Sequence, residues 1–193
     1  MDKIPEHLTH LLETSKYLHL GTCSKDCVPS VSLMNYTYFP PHKAYNQQAG
    51  AHYIIFPVMM DSNKYHNIVE NPKVSVLIHD WVTAKKLSLN KTSVPNTPNL
   101  QPTENQEVLA PSKLLNLLEE LNQAELSQMS GTLRGLAEVV DPQSEESSFY
   151  QKALLKANPD AQCFIEGENI AIVKVQIQGA TVSDSKNKTS VYQ

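Results

Sequence analysis

The apolar positions of this chain change rhythm around its centre. From Tyr53 to Met60 they are continuous, YIIFPVMM, and predict a buried strand. Asp61 and Ser62 then stand where a helix cap belongs, and Tyr65, Ile68 and Val69 recur at helical spacing. Asn71-Pro72 ends that helix, because proline disfavours helical backbone in the residue before it. Val74 to Ile78 predicts a second strand. The strand, helix, strand unit puts Lys64 in the first turn of the helix, where unpaired backbone N–H groups and the positive end of the dipole favour an anion. Such a turn is a phosphate seat. A solvated surface lysine on a capped helix is the plainer alternative for the same residue.

Elsewhere the pattern is weaker but readable. Leu8, Leu11 and Leu12 fall at helical spacing within Pro5 to Lys16 and predict a short amphipathic helix packed on a sheet. Tyr17–Cys23 and Val28–Phe39 read as a hairpin around the turn Ser24 to Cys27. In its second strand Val31, Leu33 and Asn35 alternate against Ser32, Met34 and Tyr36, so its faces carry enough polar groups to line a ligand. Pro40 to Gly50 reads as a loop. From about 83 to 111 the Pro, Asn and Thr content predicts a mobile insertion, and Ser112 caps an inserted helix over about 112–125 bearing Leu114, Leu115, Leu117, Leu118 and Leu121. Gly131 to Val140 has strand character, its two glycines marking a bulge or a close backbone approach. Ser147 to Ala157 predicts a helix and Ile170 to Gln178 a last strand, with a frayed polar tail over 183–193. The expectation is one mainly β domain over 1–182, with about six strands in a small antiparallel barrel and short helices between them.

Composition narrows the partners. A formal charge of −4 over 193 residues, with no basic stripe, favours neither nucleic acid nor an anionic membrane. The charged N-terminus is no secretory leader, and no run reaches the roughly 20 apolar residues of a membrane span. The expected location is the cytoplasm, with the nucleus as a further compartment. Cys23, Cys27 and Cys163 read as reduced structural thiols. His7 and His10 lie a turn apart without a third ligand, so no metal is expected. There is no dinucleotide-binding glycine loop, no phosphate-binding Gly-x-x-x-x-Gly-Lys and no Gly-x-Ser-x-Gly turn, which removes support from those enzyme classes.

Ser62-Asn-Lys64, His66-Asn-Ile68, Glu70-Asn-Pro-Lys-Val74 and the Ser75–Ile78 strand ending near Trp81 together resemble the flavin-mononucleotide-binding split-barrel family, within it the pyridoxamine 5′-phosphate oxidase-like proteins. Leu20-Gly-Thr22, Asp26 to Pro29 and Ser130 to Glu138 are weaker matches, and the likeness covers roughly 5–82 and 126–178. It implies a six-stranded antiparallel split β-barrel with flanking short helices that binds flavin mononucleotide (FMN). Lys64, Ser62 and Asn63 would hold the flavin phosphate. Ser32, Asn35 and Thr37 would lie along the ribityl chain and ring, Pro57 and Val58 would offer backbone to the ring, and Ser130 with Gly131 would complete the site. Two subunits share each flavin in such proteins, so the resemblance implies a homodimer with a small-molecule ligand at the flavin.

The departures limit that reading. Ser32 and Thr37 stand where full pyridoxamine 5′-phosphate oxidases carry Arg and Lys, and the segments that hold the substrate in those enzymes have no counterpart in Ser147–Asp160 or Ile170–Gln193. A hydrogen bond to a charged group contributes about 1.5–3 kcal/mol, so flavin affinity is expected to be lower. The leading reading is an FMN-dependent oxidoreductase with an open substrate. The alternatives are a noncatalytic module binding FMN or another phosphorylated ligand, and an interaction protein using the leucine-rich helix.

Overall fold

The computed structural model describes residues 4–47, 50–80, 129–184 and 188–193. Trp81, the insertion at about 83–111 and the helix at about 112–125 lie outside the described residues. The chain begins with α1 (Glu6–Thr14), which enters from Pro5 and buries Leu8, Leu11 and Leu12. Strands β1 (Tyr17–Cys23), β2 (Pro29–Asn35), β3 (Thr37–Phe39) and β4 (Tyr53–Met59) follow, then α2 (Asn63–Glu70), β5 (Lys73–His79) and β6 (Ser130–Val139). The remainder is α3 (Glu145–Ala157), α4 (Gln162–Ile165), β7 (Ile170–Ser183) and β8 (Thr189–Tyr192). The strands form one antiparallel sheet in the order β2-β1-β5-β6-β7-β4-β3, with β8 added to β7.

The sheet curls on itself. Met34 of β2 shares one core with Ile54, Phe56 and Val58 of β4, from the far side of the strand order, and α1 lays its leucines into that core. This is a mainly antiparallel β half-barrel with a few helices, in line with the small antiparallel split barrel expected. Among the described residues its strands number eight, because two stretches behave differently from their sequence reading. Val28–Phe39 divides at Tyr36, β2 pairing with β1 and β3 with β4. The Tyr36 hydroxyl donates to the Leu12 carbonyl at 2.8 Å and Asn158 Nδ2 donates to the Tyr36 carbonyl at 3.3 Å, so the residue where the strand changes partner is pinned from two sides. The tail is the other correction. β7 runs on to Ser183, and residues 189–192 pair with it from Ser183↔Thr189 to Ala180↔Tyr192 rather than fraying.

A second core lies on the other side of β4 and β7, where Phe39, Tyr53, Ile55 and Ile172 meet Tyr150 and Leu154 of α3 and Ile165 of α4. Helix α3 is capped by Ser144, whose hydroxyl accepts from the Ser147 N–H at 3.1 Å. Lys174 ties it to the sheet: the buried ammonium lies 2.7 Å from Glu146 and 3.4 Å from Glu138. Burial alone opposes that charge, but the two carboxylates more than offset it and raise the Lys174 pKa. In β6 the register shifts between Arg134 and Gly135, and a Cβ on Gly135 would meet Val175 Cγ1 at 2.4 Å and the Gln176 carbonyl oxygen at 2.9 Å. The glycine marks both the bulge and the close approach expected of it.

Candidate functional site

The apolar continuity of β4 has a simple cause: both of its faces are covered. Ile54, Phe56 and Val58 enter the larger core, and Tyr53 and Ile55 the second. Pro57 interrupts this run without breaking it. β3 accompanies β4 only over Tyr53–Ile55, so Pro57 and Val58 sit where β4 keeps its β7 neighbour and has lost its β3 neighbour. An open edge is where a strand tolerates a residue without N–H, and it leaves backbone at Pro57 and Val58 available on that side.

β4 leads directly into α2. The Ser62 hydroxyl donates to the Met59 carbonyl at 2.6 Å and accepts from the Tyr65 N–H at 3.4 Å, while the Tyr65 and His66 N–H groups donate to the Ser62 carbonyl. Ser62 thus spends its proton on shaping the turn, and the N–H groups of Asn63 and Lys64 stand at the open end of the helix. Lys64 is half-buried there and makes no ion pair among the described residues. A cation, two N–H groups and the helix dipole suit a phosphate chemically. On the opposite face α2 buries Asn67 and Ile68, and Asn67 Nδ2 donates to Thr22 Oγ1 of β1 at 3.0 Å. Val69, expected on the buried face, is 59% exposed, and the polar Asn67 takes its place in the packing.

The remaining predicted residues divide into three groups. Ser32 alternates with the exposed Val31 and Leu33 and lies on the core-facing side of β2, with Ser30 two residues before it. Asn35 and Thr37 belong to the opposite parity. The Thr37 hydroxyl accepts from Asn158 Nδ2 at 3.3 Å, which fastens it to the end of α3. Ser130 and Gly131 are remote from Lys64 within one chain. Ser130 pairs with His79 and with Ser183, whereas Met59, which leads into α2, pairs with Ile170 at the other end of β7. Gly131 faces inward, where a Cβ would lie 3.0 Å from Leu8 Cδ1. Pro57, Val58, Ser62, Asn63 and Lys64 are therefore one contiguous segment, and Ser130 with Gly131 could meet it only in another copy.

Two features near Thr37 carry no sequence signal. A cleft of about 630 Å³ opens between the end of α1, β3 and the end of α3, lined by Lys16, Thr37, Tyr38, Lys43 and Asn158 among others. The second is at the neighbouring residue, where the Tyr38 hydroxyl lies 2.6 Å from His52 Nδ1 and the rings stack at 6.0 Å. Burial raises the Tyr38 pKa to about 12 and lowers that of His52 from its ordinary 6.5. A depressed histidine favours the fold above its unfolded pKa and loses that contribution as pH falls through 6.5 towards its folded value. Stability measured by urea unfolding is expected to drop as pH falls below about 6.5, and His52→Gln should shrink that drop. An unchanged pH profile in the variant would place the acid sensitivity elsewhere. Among the described residues no group of His, Cys, Asp and Glu is arranged to hold a metal, and no helix is long and apolar enough to cross a membrane.

Comparison with known proteins agrees with this architecture. The chain is 51% identical over 187 residues to a pyridoxamine 5′-phosphate oxidase homolog of Saccharomyces cerevisiae, covering 96% of this chain and 93% of the relative. Among solved structures it is similar to an FAD-binding protein from Mesorhizobium loti, with a TM-score of 0.53 at 13% identity over 90% of this chain and 89% of that one. It is also similar to the heme storage protein HutZ of Vibrio cholerae, with a TM-score of 0.55 at 13% identity over 92% and 93%. At those identities the structures speak to fold alone, and proteins of this fold hold more than one prosthetic group. Residues 4–166 match the profile of the family described as Pyridoxamine 5′-phosphate oxidase, and with the yeast relative this makes the chain a member of that family.

Proposed function

We propose that the chain is a flavoprotein that binds FMN and works as a homodimeric oxidoreductase on a small molecule. The observation that carries this reading is the first turn of α2, where Lys64 and the N–H groups of Asn63 and Lys64 form a cationic seat at the end of an interior strand. Lys64 would hold the flavin phosphate with Ser62 shaping the turn, Ser32 and Asn35 would flank the ribityl chain, and Pro57 and Val58 would face the ring along the open edge of β4. Bound FMN supplies hydride transfer, chemistry that is the cofactor's own. Ser130 and Gly131 would serve the partner's flavin, which is why two copies are needed. The outer sheet face supports this. Val31, Leu33 and Leu77 are 71%, 62% and 39% exposed on β2 and β5, beside the stacked rings of His19 and His79 on β1 and β5. Apolar side chains grouped in this way suit burial against a second copy. The net charge of −4 supports neither nucleic acid nor an anionic membrane as partner, and a cytoplasmic location fits a flavin enzyme of this kind.

The test is a flavin titration of the purified protein with its mass measured by light scattering. One FMN bound per chain, with quenched flavin fluorescence and twice the chain mass, is the expected result. Saturating flavin without spectral or thermal shift rejects the proposal. The Thr37–Asn158 hydrogen bond favours a second reading, a binding module without turnover, because it closes off a position where the full oxidases carry a cation. Measurable turnover with pyridoxamine 5′-phosphate or a reduced nicotinamide donor excludes that module.

A further inference from the structure

We propose that the hydrogen bond between Asn67 and Thr22 is a positioning device for the phosphate seat: it sets the roll of α2 about its own axis, and with it the direction in which Lys64 points. This role presupposes that the first turn of α2 holds the flavin phosphate, and it adds two residues that act on the ligand only through Lys64. Asn67 of α2 is 9% exposed, Thr22 of β1 is 5% exposed, and Asn67 Nδ2 donates to Thr22 Oγ1 at 3.0 Å. The other α2 side chains in the larger core are Ile68 and, partly buried, Tyr65. The Asn67–Thr22 contact is therefore the polar part of an otherwise apolar seam.

Burial of apolar surface alone would choose a different roll. Tyr65, Ile68 and Val69 form the apolar stripe, and turning that stripe inward would bury Val69 and carry Asn67 to its border. Instead Val69 is 59% exposed and the buried residues are Asn67 and Ile68, so the inward face is displaced by one residue, about 100° of helix rotation. Apolar contact is non-directional, whereas a buried carboxamide is satisfied only where its partner stands. That partner is stationary. β1 is paired along one edge with β2 from Tyr17 to Cys23 and along the other with β5 from His19 to Gly21. Rolling a helix leaves its N–H groups aligned with the axis and swings its side chains, so Lys64 is the part of the seat that depends on the pair.

The test is FMN affinity, read by flavin fluorescence in the full chain and in variants of the pair, with thermal unfolding followed alongside. Thr22→Val removes the acceptor at nearly constant shape and should weaken FMN binding about threefold to tenfold, a part of what Lys64→Ala removes. Thr22→Ser keeps the hydroxyl and should keep the affinity. The double variant Thr22→Val/Asn67→Leu exchanges the polar pair for an apolar one, so it should unfold at about the same temperature as the unaltered chain and still bind FMN more weakly. A merely structural role would not separate those two readouts. In the Lys64→Ala background Thr22→Val should cause no further loss, because the side chain that it misdirects is gone. A full additional loss there overturns the proposal, as does unaltered FMN affinity in both Thr22→Val and the double variant. Failure of the unaltered chain to bind FMN rejects the flavin assignment and this role together, whereas binding that Lys64→Ala weakens and the pair variants leave alone rejects this role only.

Discussion

Phe56→Ala is expected to lower the unfolding free energy by about 3–5 kcal/mol, and the midpoint of thermal unfolding by about 6–20 °C for a domain of this size. Phe56 is fully buried at the middle of β4 and belongs to the core shared by α1 and the curled sheet. Its neighbours cannot close the space left by the ring, because β4 is held on its other face by Tyr53 and Ile55 in the second core and along its edge by β7. A strand fixed on three sides relaxes little, so the cavity term adds in full to the transfer term. Urea unfolding followed by circular dichroism measures this. A loss under about 1.5 kcal/mol would mean that β4 is not the interior strand described above. Met59, 49% exposed at the end of the same strand, is the natural contrast: Met59→Ala should fall within the small range typical of surface sites.

Lys64→Ala should act on the ligand and leave the fold intact. Its side chain is half-buried, and the helix start is secured by Ser62 and by Asn67 against Thr22. Loss of a hydrogen bond to a charged group is worth about 1.5–3 kcal/mol, which is about a tenfold to 150-fold increase in the FMN dissociation constant. Lys64→Arg should keep most of the affinity, since it preserves the cation at the helix start. The contrast matters because Ser32 and Thr37 supply no second cation, so in the proposed site Lys64 would carry a larger share of phosphate binding than it would in an enzyme with three. An affinity within threefold of the unaltered protein in Lys64→Ala would sink the assignment of the phosphate to this turn.

How much of this was readable in the sequence depends on how far apart the interacting residues lie. β4, α2 and β5 were legible because every signal is local: a continuous apolar run, a cap at Ser62 and a stop at Asn71-Pro72. The bulge in β6 was legible because a glycine weakens a strand interior and is kept there where the backbone bulges or another chain segment comes close. Val69 was misplaced because helical spacing fixes a stripe but not which of its borders faces the sheet, and the Asn67–Thr22 hydrogen bond turned α2 so that Val69 points outward. The break at Tyr36 depends on Asn158, which no window on the sequence could contain. The engagement of Thr37 depends on the same residue. β8 is too short for alternation to be counted, and its pairing follows from where β7 leaves an edge.

The sheet order also bears on the sequence of events by which the chain assembles. β1 and β2 are joined by a tight turn, so this hairpin can form from contacts close in sequence, whereas β5 meets β1 and β4 meets β7 only across long stretches of chain. His79 and Ser130 are likewise paired across a gap of about 50 residues, and closing a loop of that length must precede any gain from the pairing. The kinetic consequence is that the β1–β2 hairpin can exist before β6 docks, while the pairing at Ser130 is a late product. Destabilising substitutions in β6 are therefore predicted to speed unfolding and leave the refolding rate nearly unchanged.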